Sequence, residues 1–223
     1  MPVAVSTGGA LSGKVMVAVA AGNAHNLALC ADGTAVAWRD NTFGQLGNNS
    51  TTQYNAPVVV NTNGVLAGKM VVAVAAGFAH SLALCSDGTL AAWGDNSYGQ
   101  LGTGNNPPSL VPVAVNRAGV LAGKTINGIA AGSDHCLALT SDGKVVAWGW
   151  NGEGELGNNS TTDSNVTVAV VSTGVLLGKT VTAVSAGQDH SLVLTWRRVW
   201  IPQASLHCGP WGAPPSSFPV ARA

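Results

Sequence analysis

The chain has 223 residues, of which 46% are hydrophobic and only 9% are charged, and its formal net charge at pH 7 is zero. This apolar content is sufficient for a folded core and argues against an intrinsically disordered chain. The neutral balance lacks the basic patch that a nucleic-acid-binding protein needs, and no apolar run reaches the roughly 20 residues of a membrane-spanning helix. We therefore expect no nucleic-acid partner and no membrane span.

The first segment, Met1–Val5, matches Pro57–Val60 and Pro112–Val115 further along the chain, and we interpret it as a β-strand. The sequence shows no basic n-region and no apolar h-region, so it carries no visible signal peptide. Two interpretations are open. Either Met1 is a late start within a longer parent protein, or the first strand closes a ring by pairing with the last unit.

A 55-residue repeat then organises most of the chain. The positions that recur at this interval are a glycine (Gly22, Gly77, Gly132 and Gly187), a histidine (His25, His80, His135 and His190) and a tryptophan (Trp38, Trp93 and Trp148). A fixed period of this size marks an array of one supersecondary unit.

Each unit contains four predicted strands, as the second unit illustrates. Apolar runs at Leu82–Cys85 and Thr89–Trp93 flank the pair Asp87-Gly88, which predicts a β-hairpin with a type I′ turn. Met70–Ala75 and Val113–Val115 supply the other two strands, and almost no helical pattern is present.

The strands carry small apolar residues on both faces, for example Ala91 and Ala92. A sheet with one solvated face would show a polar residue at every second position, so we expect these sheets to be covered on both faces. Four-stranded sheets stacked face to face around an axis are the blades of a β-propeller. A β-helical solenoid is the competing array, but its coils repeat at far shorter periods.

The connections between Gly47 and Pro57, and between Gly102 and Pro112, are rich in Asn, Thr, Ser and Pro, which is typical of surface loops. These loops differ between units, and binding residues concentrate on loops held by a rigid scaffold. We therefore predict that the partner-binding residues are Gln53, Tyr54, Asn55, Asn105, Asn106, Ser109, Asp163, Ser164 and Asn165.

The fourth unit follows the pattern as far as Thr195 and then departs from it. Where earlier units have Ser-Asp-Gly, this one has Trp196-Arg197-Arg198, and the rest of the chain is rich in Pro and Trp. We therefore predict a repeat domain at residues 1–195 and an irregular tail at residues 196–223. A frameshift in the coding sequence would explain the tail, and a genuine irregular tail is the alternative.

The recurring elements A-G-x-x-H-x-L-A-L, D-G, A-W-G-x-N and G-Q-L-G, in register from Pro2 to about Thr195, resemble the regulator of chromosome condensation repeat family, and in particular its bacterial members. The resemblance implies a propeller, commonly of seven blades, that presents surfaces to partners. It also implies an alternative function, because the founding eukaryotic member is a nucleotide exchange factor for a small GTPase. From the three complete units and partial fourth unit, we expect an all-β, propeller-type array that forms an open arc unless the ring closes.

The repeated polar residues suit structural roles better than catalytic ones. Equivalent histidines are distributed one to a blade around the axis, so they need not converge on a metal ion. Glu153 and Glu155 do not form a supported acid–base pair, and the spacing of the four cysteines matches no zinc site. The hypothesis that the chain is a hydrolase or a metalloenzyme is therefore supported by the repeated histidines alone. We predict no catalytic, cofactor-binding or metal-binding residues.

These observations lead to a functional hypothesis. We expect a non-enzymatic scaffold that presents its loops to a protein partner and forms part of a longer bacterial repeat protein, at the cell surface or secreted. A regulator that promotes nucleotide exchange on a small GTPase is the alternative.

Overall fold

A computed structural model describes residue 5 and residues 7–197 of the chain. It contains three sheets of four strands and one sheet of two strands, and every strand pairs in antiparallel fashion with its neighbour in sequence. The predicted all-β array of three complete blades and a partial fourth is therefore confirmed. The strand predicted at Met1–Val5 lies outside the described residues apart from Val5.

Strand bounds follow the repeat closely. Blade 1 consists of β1 (Met16–Ala21), β2 (His25–Cys30), β3 (Ala35–Arg39) and β4 (Tyr54–Val59). Blade 2 consists of β5 (Val71–Ala76), β6 (His80–Cys85), β7 (Leu90–Gly94) and β8 (Ser109–Ala114). Blade 3 consists of β9 (Ile126–Ala131), β10 (His135–Thr140), β11 (Val145–Gly149) and β12 (Ser164–Ala169), and half-blade 4 of β13 (Lys179–Ala186) and β14 (Ser191–Arg197).

The helical content of the described residues is limited to four short 3-10 turns, one before the first strand of each sheet: Gly9–Leu11, Gly64–Leu66, Gly119–Leu121 and Gly174–Leu176. None of these turns approaches the length of a membrane-spanning helix. Leu66 and Leu121 are almost fully buried, so these two turns supply apolar side chains to the core.

The hairpin turn differs from the predicted type I′ turn. The hairpin between β6 and β7 has a three-residue loop, Ser86 to Gly88, closed by the pair Cys85 and Thr89, and only Gly88 has a positive φ, of 82°. The N–H of Gly88 donates to the carbonyl of Cys85 at 2.9 Å, and the N–H of Cys85 donates to that of Thr89 at 2.8 Å. This geometry is a type I turn followed by a left-handed glycine. Asp87 keeps a negative φ, and its carboxylate accepts the N–H of Thr89 at 2.9 Å.

The fourth strand of each blade begins several residues earlier than predicted. In blade 2, Ser109 pairs with Gly94 across a register shift at the end of β7, and Gly94 has a φ of 102°. A bulge of this kind lets the outer strand continue past the point where regular pairing ends. Tyr54, Asn55, Ser109, Ser164 and Asn165 are consequently strand residues and not loop residues as predicted.

The last described strand extends past the predicted domain boundary at Thr195. Trp196 pairs with Thr180 and Arg197 with Lys179, so the off-pattern residues continue β14 at the place where the earlier units turn. The remaining tail residues, 198–223, lie outside the described part of the chain, and the irregular tail stays a prediction.

The core lies between neighbouring blades. Leu27 and Leu29 of blade 1 pack with Ala83, Cys85 and Trp93 of blade 2, and the equivalent residues join blade 2 to blade 3. First strands of successive blades contact one another in the order β1, β5, β9, β13, so they line the axis of an open arc. Trp93 and Trp148 are fully buried in these contacts between blades, whereas Trp38 of blade 1 is partly buried.

Each of these tryptophans lies against a glycine of the preceding blade. The indole N–H of Trp93 donates to the carbonyl of Gln45 at 2.9 Å, and Trp148 donates in the same way to Gln100. A Cβ atom at Gly47 would lie 2.7 Å from Nε1 of Trp93, well inside van der Waals contact. The second glycine of the Gly-Gln-Leu-Gly motif is therefore required for two reasons. The next blade approaches too closely for a side chain, and the φ of Gly47 is positive, at 66°.

Substitution of this glycine should be more costly where a tryptophan covers it. In Gly102→Ala the new methyl group would meet Trp148 and Val115, each at 2.9 Å, so overpacking of about 1–3 kcal/mol adds to a backbone strain of about 1–2 kcal/mol. Gly157→Ala is the matched control, because Gly157 has a similar φ of 56° and its nearest neighbour within the described residues is Val170 at 3.3 Å. We expect urea denaturation to show a clearly larger loss of unfolding free energy for Gly102→Ala. Equal losses would contradict this account of the motif.

Candidate functional site

The two ends of the blades differ in their loops. Because successive strands are antiparallel, the connections β1–β2 and β3–β4 and their equivalents emerge at one end, which we call the loop face. The β2–β3 hairpins and the connections between blades emerge at the other end, which we call the hairpin face.

A cavity of about 520 Å³ opens at the axis on the loop face. The ends of the four first strands form its base, through the repeated Ala-Gly pairs at residues 21–22, 76–77, 131–132 and 186–187. Glycine is required at Gly77, because a Cβ atom there would lie 2.1 Å from the ring of His80 and 2.6 Å from the carbonyl oxygen of Gly132. The backbones approach one another closely at the base of the cavity, so the side chains of the loops form its rim.

Aromatic side chains supply much of that rim. Phe78 follows the Ala-Gly pair of blade 2, Tyr98 lies in the β7–β8 loop, and Trp150 follows β11. Phe78 and Tyr98 are exposed, and the rings of Tyr98 and Trp150 are 6.4 Å apart with a tilt of 57°. The cavity therefore combines a backbone floor with aromatic surfaces that are open to solvent.

Acidic side chains complete the rim. Asp134 and Asp189 line the cavity, and Asp134 accepts a hydrogen bond from the amide of Gln100 at 3.3 Å. Partial burial raises the pKa of Asp134, and the nearby carboxylates of Asp95 and Asp189 raise it further. Asp134 and Asp189 therefore place carboxylates on the rim of the cavity, and Asp95 lies near them.

Charge is divided unequally between the two ends of the molecule. On the hairpin face, Lys14 pairs with Asp32 at 2.5 Å, Lys124 pairs with Asp142 at 2.5 Å, and Lys69 pairs with Asp87. The hydrogen bond from each lysine is the main reason that the pKa of each of these aspartates falls to about 2. All the other acidic residues lie on the loop face, namely Asp40, Asp95, Asp134, Glu153, Glu155, Asp163 and Asp189.

Within the described residues, Arg39 is the one basic residue at the loop face, where it ends β3. A chain with no net charge therefore presents one acidic face. Composition alone gives no indication of this asymmetry, because the repeat places the lysines and the hairpin aspartates together at the opposite end.

The nine residues predicted to bind a partner lie on the loop face, but at its outer edge. They belong to the starts of the fourth strands and the loops before them, whereas the cavity lies at the first strands. Gln53, Asn55, Asn105, Asn106 and Asp163 are exposed, and Tyr54, Ser109, Ser164 and Asn165 are partly buried.

Three of the nine residues also make structural hydrogen bonds, two of them between neighbouring blades and one within blade 3. The amide of Asn165 donates to the side-chain oxygen of Asn106 at 2.8 Å, and the carbonyl of Asn165 accepts the N–H of Gly104. Asp163 accepts the backbone N–H of Asn151 at 2.8 Å. These contacts give part of the predicted set a structural role at the rim, and the binding role of the set stays a prediction.

Sequence reasoning missed the residues that line the cavity. Phe78, Tyr98, Asp134, Trp150 and Asp189 occupy positions where the repeats differ from one another, which is the criterion used for the outer loops. Applied to the residues that follow each repeated glycine, the same criterion would have selected Phe78 and Asp134. Their convergence depends on the curvature of the arc, which the sequence does not display.

The histidines of the three complete blades, His25, His80 and His135, lie between neighbouring blades. Nε2 of His25 lies 2.9 Å from Oγ of Ser81 in the next blade, and that hydroxyl donates to the carbonyl of Gln45 at 2.8 Å. His135 bonds Ser191 at 3.0 Å, and His80 reaches Sγ of Cys136 at 3.1 Å. Because the Ser81 hydroxyl donates its proton to Gln45, it accepts the Nε2–H of His25, while the buried Nδ1 atom of this histidine has no hydrogen-bond partner among the described residues. Among the described residues, no group of three or more His, Cys, Asp or Glu side chains is placed to hold a metal ion.

Burial lowers the pKa of these histidines. It lowers the pKa of His25 to about 4, with the Asp40 carboxylate opposing the shift, and that of His80 to about 3. The pKa of His135 falls to about 4 for the same reason. The imidazoles are therefore neutral in the folded protein at pH 7. Cys30, Cys85 and Cys136 are buried free thiols whose pKa burial raises, while Cys208 lies outside the described residues.

Comparison with known proteins identifies the repeat. A profile described as "Regulator of chromosome condensation (RCC1) repeat" matches residues 32–84, 87–139 and 142–194, and a second profile of the same description matches residues 16–45, 71–100 and 126–155. The chain is 34% identical over 188 residues to the ultraviolet-B receptor UVR8 of Arabidopsis thaliana, covering 84% of this chain and 41% of the receptor. It is also 34% identical over 193 residues to the human E3 ubiquitin-protein ligase HERC2, covering 86% of this chain and 4% of the ligase.

Solved structures show the same architecture. Human WBSCR16 superposes with a TM-score of 0.73 at 27% identity, covering 85% of this chain and 46% of that chain. Prp20p of Saccharomyces cerevisiae superposes with a TM-score of 0.71 at 22% identity, covering 82% of this chain and 44% of that chain. The chain thus spans less than half the length of each of these relatives and structures.

The histidines predict a specific loss of stability in mild acid. Their pKa values in the folded state lie below the ordinary value of 6.5, so the unfolded chain binds more protons between pH 6.5 and about 4. Stability is then fully present above pH 6.5 and falls as the pH decreases, by up to about 1.4 kcal/mol per pH unit for each histidine. The paired aspartates, with a pKa of about 2, add their own loss only below about pH 4.

We expect the urea midpoint to decrease steadily from pH 7 to pH 4.5. His80→Gln should reduce this slope, because the substitution removes one titrating group and leaves an amide that can reach Cys136. Asp142→Asn is the control and should leave the slope in this window unchanged. A midpoint independent of pH between 6.5 and 4.5 would show that the histidines are not buried in neutral form.

Proposed function

The chain belongs to the regulator of chromosome condensation (RCC1) repeat family, and we propose that it is a non-enzymatic scaffold that binds a protein partner through its loop face. One observation carries the proposal. The loop face combines an axial cavity, exposed aromatic rings and seven acidic residues, whereas Arg39 is the one Lys or Arg residue among the described residues of this face. On the hairpin face, the aspartates are already paired with lysines.

The repeated residues support a role without catalysis. The histidines, tryptophans and motif glycines of the described blades make contacts that hold one blade to the next. Side chains used in this way are not free to act as nucleophile, base or oxyanion donor. Some of the residues that differ between repeats line the cavity, and five of these are aromatic or acidic, namely Phe78, Tyr98, Asp134, Trp150 and Asp189.

The chemistry of the face indicates the kind of partner. Lysine and arginine side chains bind aromatic faces by cation–π interaction, at about 0.5–1 kcal/mol for an exposed site, and pair with carboxylates. Tyr98 and Trp150 offer the aromatic faces, and Asp95, Asp134 and Asp189 offer the carboxylates. A basic segment of a partner protein satisfies both, and the cavity of about 520 Å³ is large enough for one or two such side chains.

Exchange activity on a small GTPase is the alternative. Prp20p, which shares the fold, has binding properties toward Gsp1p and histones, but at 22% identity this likeness supports the fold alone. The axial cavity and its acidic rim favour the binding scaffold, and exchange activity serves as the contrary outcome in the experiment.

The proposal predicts charge-selective binding at the loop face. The probe is a decapeptide of alternating Arg and Gly, titrated into the protein by calorimetry at low salt, with a decapeptide of alternating Glu and Gly as the reference. We expect binding of the basic peptide alone, because the rim is acidic. The double substitution Asp134→Asn and Asp189→Asn should weaken the binding about tenfold, since each carboxylate contributes up to about 1 kcal/mol.

The matched control is Asp87→Asn together with Asp142→Asn, which removes the same charge from the hairpin face and should leave the affinity unchanged. Equal weakening by both double variants would contradict a localised site and indicate a long-range charge effect. Accelerated release of a fluorescent guanine nucleotide from a small GTPase of the source organism would contradict the scaffold and support the alternative.

A further inference from the structure

The contacts between blades follow one rule, which defines two faces on every sheet. The forward face packs on the next blade and, in blade 1, carries Leu27, Leu29 and His25. The rear face packs on the preceding blade and, in blade 2, carries Val71, Val74 and Ser81, with Trp93 at its outer part. The same rule joins blade 2 to blade 3.

The forward face of half-blade 4 is open to solvent. Leu192 and Leu194 are 58% and 64% exposed, although the equivalent residues Leu27 and Leu29 are 0% and 3% exposed. His190 is exposed as well, in contrast to the buried histidines of the three complete blades. The residues that elsewhere build half of a blade junction are therefore present here, and no described residue covers them.

The rear face of blade 1 is open in its inner part. Met16 is 42% exposed and Val19 is 74% exposed, whereas Val71 at the position of Met16 is 4% exposed and Val74 at that of Val19 is partly buried. Asn26 occupies the position of Ser81, and Trp38, unlike Trp93, is only partly buried. This end therefore carries the other half of the same junction.

We propose that these two faces bind each other between copies of this chain, so that half-blade 4 of one copy packs its forward face on the rear face of blade 1 of another. Leu192 and Leu194 would cover Met16 and Val19, as Leu27 and Leu29 cover Val71 and Val74 within the chain. Nε2–H of His190 would donate to the side-chain carbonyl of Asn26, which takes the place of the Ser81 hydroxyl.

A second copy is the occupant because the chain itself carries both halves of the junction. The two faces are apolar and uncharged at their centres, so their association buries surface without desolvating a charge. The interface would continue a packing arrangement that is already made three times within the molecule, between blades 1 and 2, blades 2 and 3, and blade 3 and half-blade 4. A different protein could replace the second copy only if it carried two leucines with the spacing of Leu192 and Leu194, or a hydrogen-bond acceptor for His190 in the position of Asn26.

The size of the arc indicates two copies. A head-to-tail contact forms a closed ring when the rotation between copies closes and a filament when it does not. The described residues form three complete blades and half of a fourth, so two copies joined by two such junctions would hold the equivalent of seven blades. We therefore expect a ring of two copies with two equivalent junctions.

The test uses one variant for each face and their mixture. In the forward variant, Leu192→Asp and Leu194→Asp replace the exposed leucines, and in the rear variant, Met16→Asp and Val19→Asp replace the opposing side chains. These residues are exposed, so circular dichroism should show that both variants fold. Analytical ultracentrifugation should give twice the chain mass of 22.3 kDa for the unmodified protein and the single mass for each variant.

The mixture of the two variants distinguishes the proposed contact from any other. Each variant retains one intact face, so an equimolar mixture should form a dimer through a single junction. The control variant with Val175→Asp and Leu177→Asp, at residues that are 80% and 72% exposed and lie on neither face, should keep the mass of the unmodified protein.

Three results would overturn the proposal. The first is an unmodified protein that stays monomeric at tens of micromolar, including one that dimerises only after deletion of residues 198–223, since the tail would then cover the face. The second is a forward or rear variant that still forms dimers, which would indicate contact between like faces. The third is a mixture of the two variants that contains monomers alone.

Discussion

The indole of Trp93 lies on Gly47 and donates its N–H to the carbonyl of Gln45, and the spacing of the blades depends on this contact. A side chain at the glycine would push the next sheet away, and loss of the indole would leave a buried carbonyl with fewer donors. Ser81 donates to the same carbonyl and accepts a hydrogen bond from His25, so that His25 is linked to this backbone oxygen through Ser81. The histidine, tryptophan and glycine recur every 55 residues in the sequence because each junction between blades uses them.

The junction also determines where function can reside. It uses the histidine, the tryptophan and the second motif glycine of each unit, and these residues are consequently buried or enclosed. The first strands are drawn together at the axis, and their ends form the floor of the cavity on the loop face. Residues that the junction does not need, such as Phe78, Tyr98 and Asp134, vary between units and collect around that cavity. Stability and recognition are thereby assigned to different positions of the same repeat.

Much of the fold could be predicted from the sequence because the same pattern of strands and turns occurs in three complete units and part of a fourth. The period, the apolar runs and the Asp-Gly pairs established four-stranded blades, and the buried roles of Trp93 and His80 followed from their regular recurrence. The turn type was wrong because an Asp-Gly pair does not fix the loop length, and here Ser86 adds a residue. The early start of β8 was missed because a bulge at Gly94 interrupts the pattern on which strand bounds depend.

The candidate site was less predictable for a physical reason. Phe78, Tyr98, Trp150 and Asp189 come from three different units, and only the curvature of the arc brings them to one cavity.

The central claim is that a basic segment of a partner protein binds the loop face. A site-specific photo-crosslinker at Tyr98 in cells of the source organism tests this claim most directly, with the same group at Lys69 on the hairpin face as the control. The account predicts that the Tyr98 position yields crosslinks to one protein, within a segment rich in Lys or Arg, and that the Lys69 position does not. Crosslinks of equal yield from both positions would contradict the loop face as the binding surface.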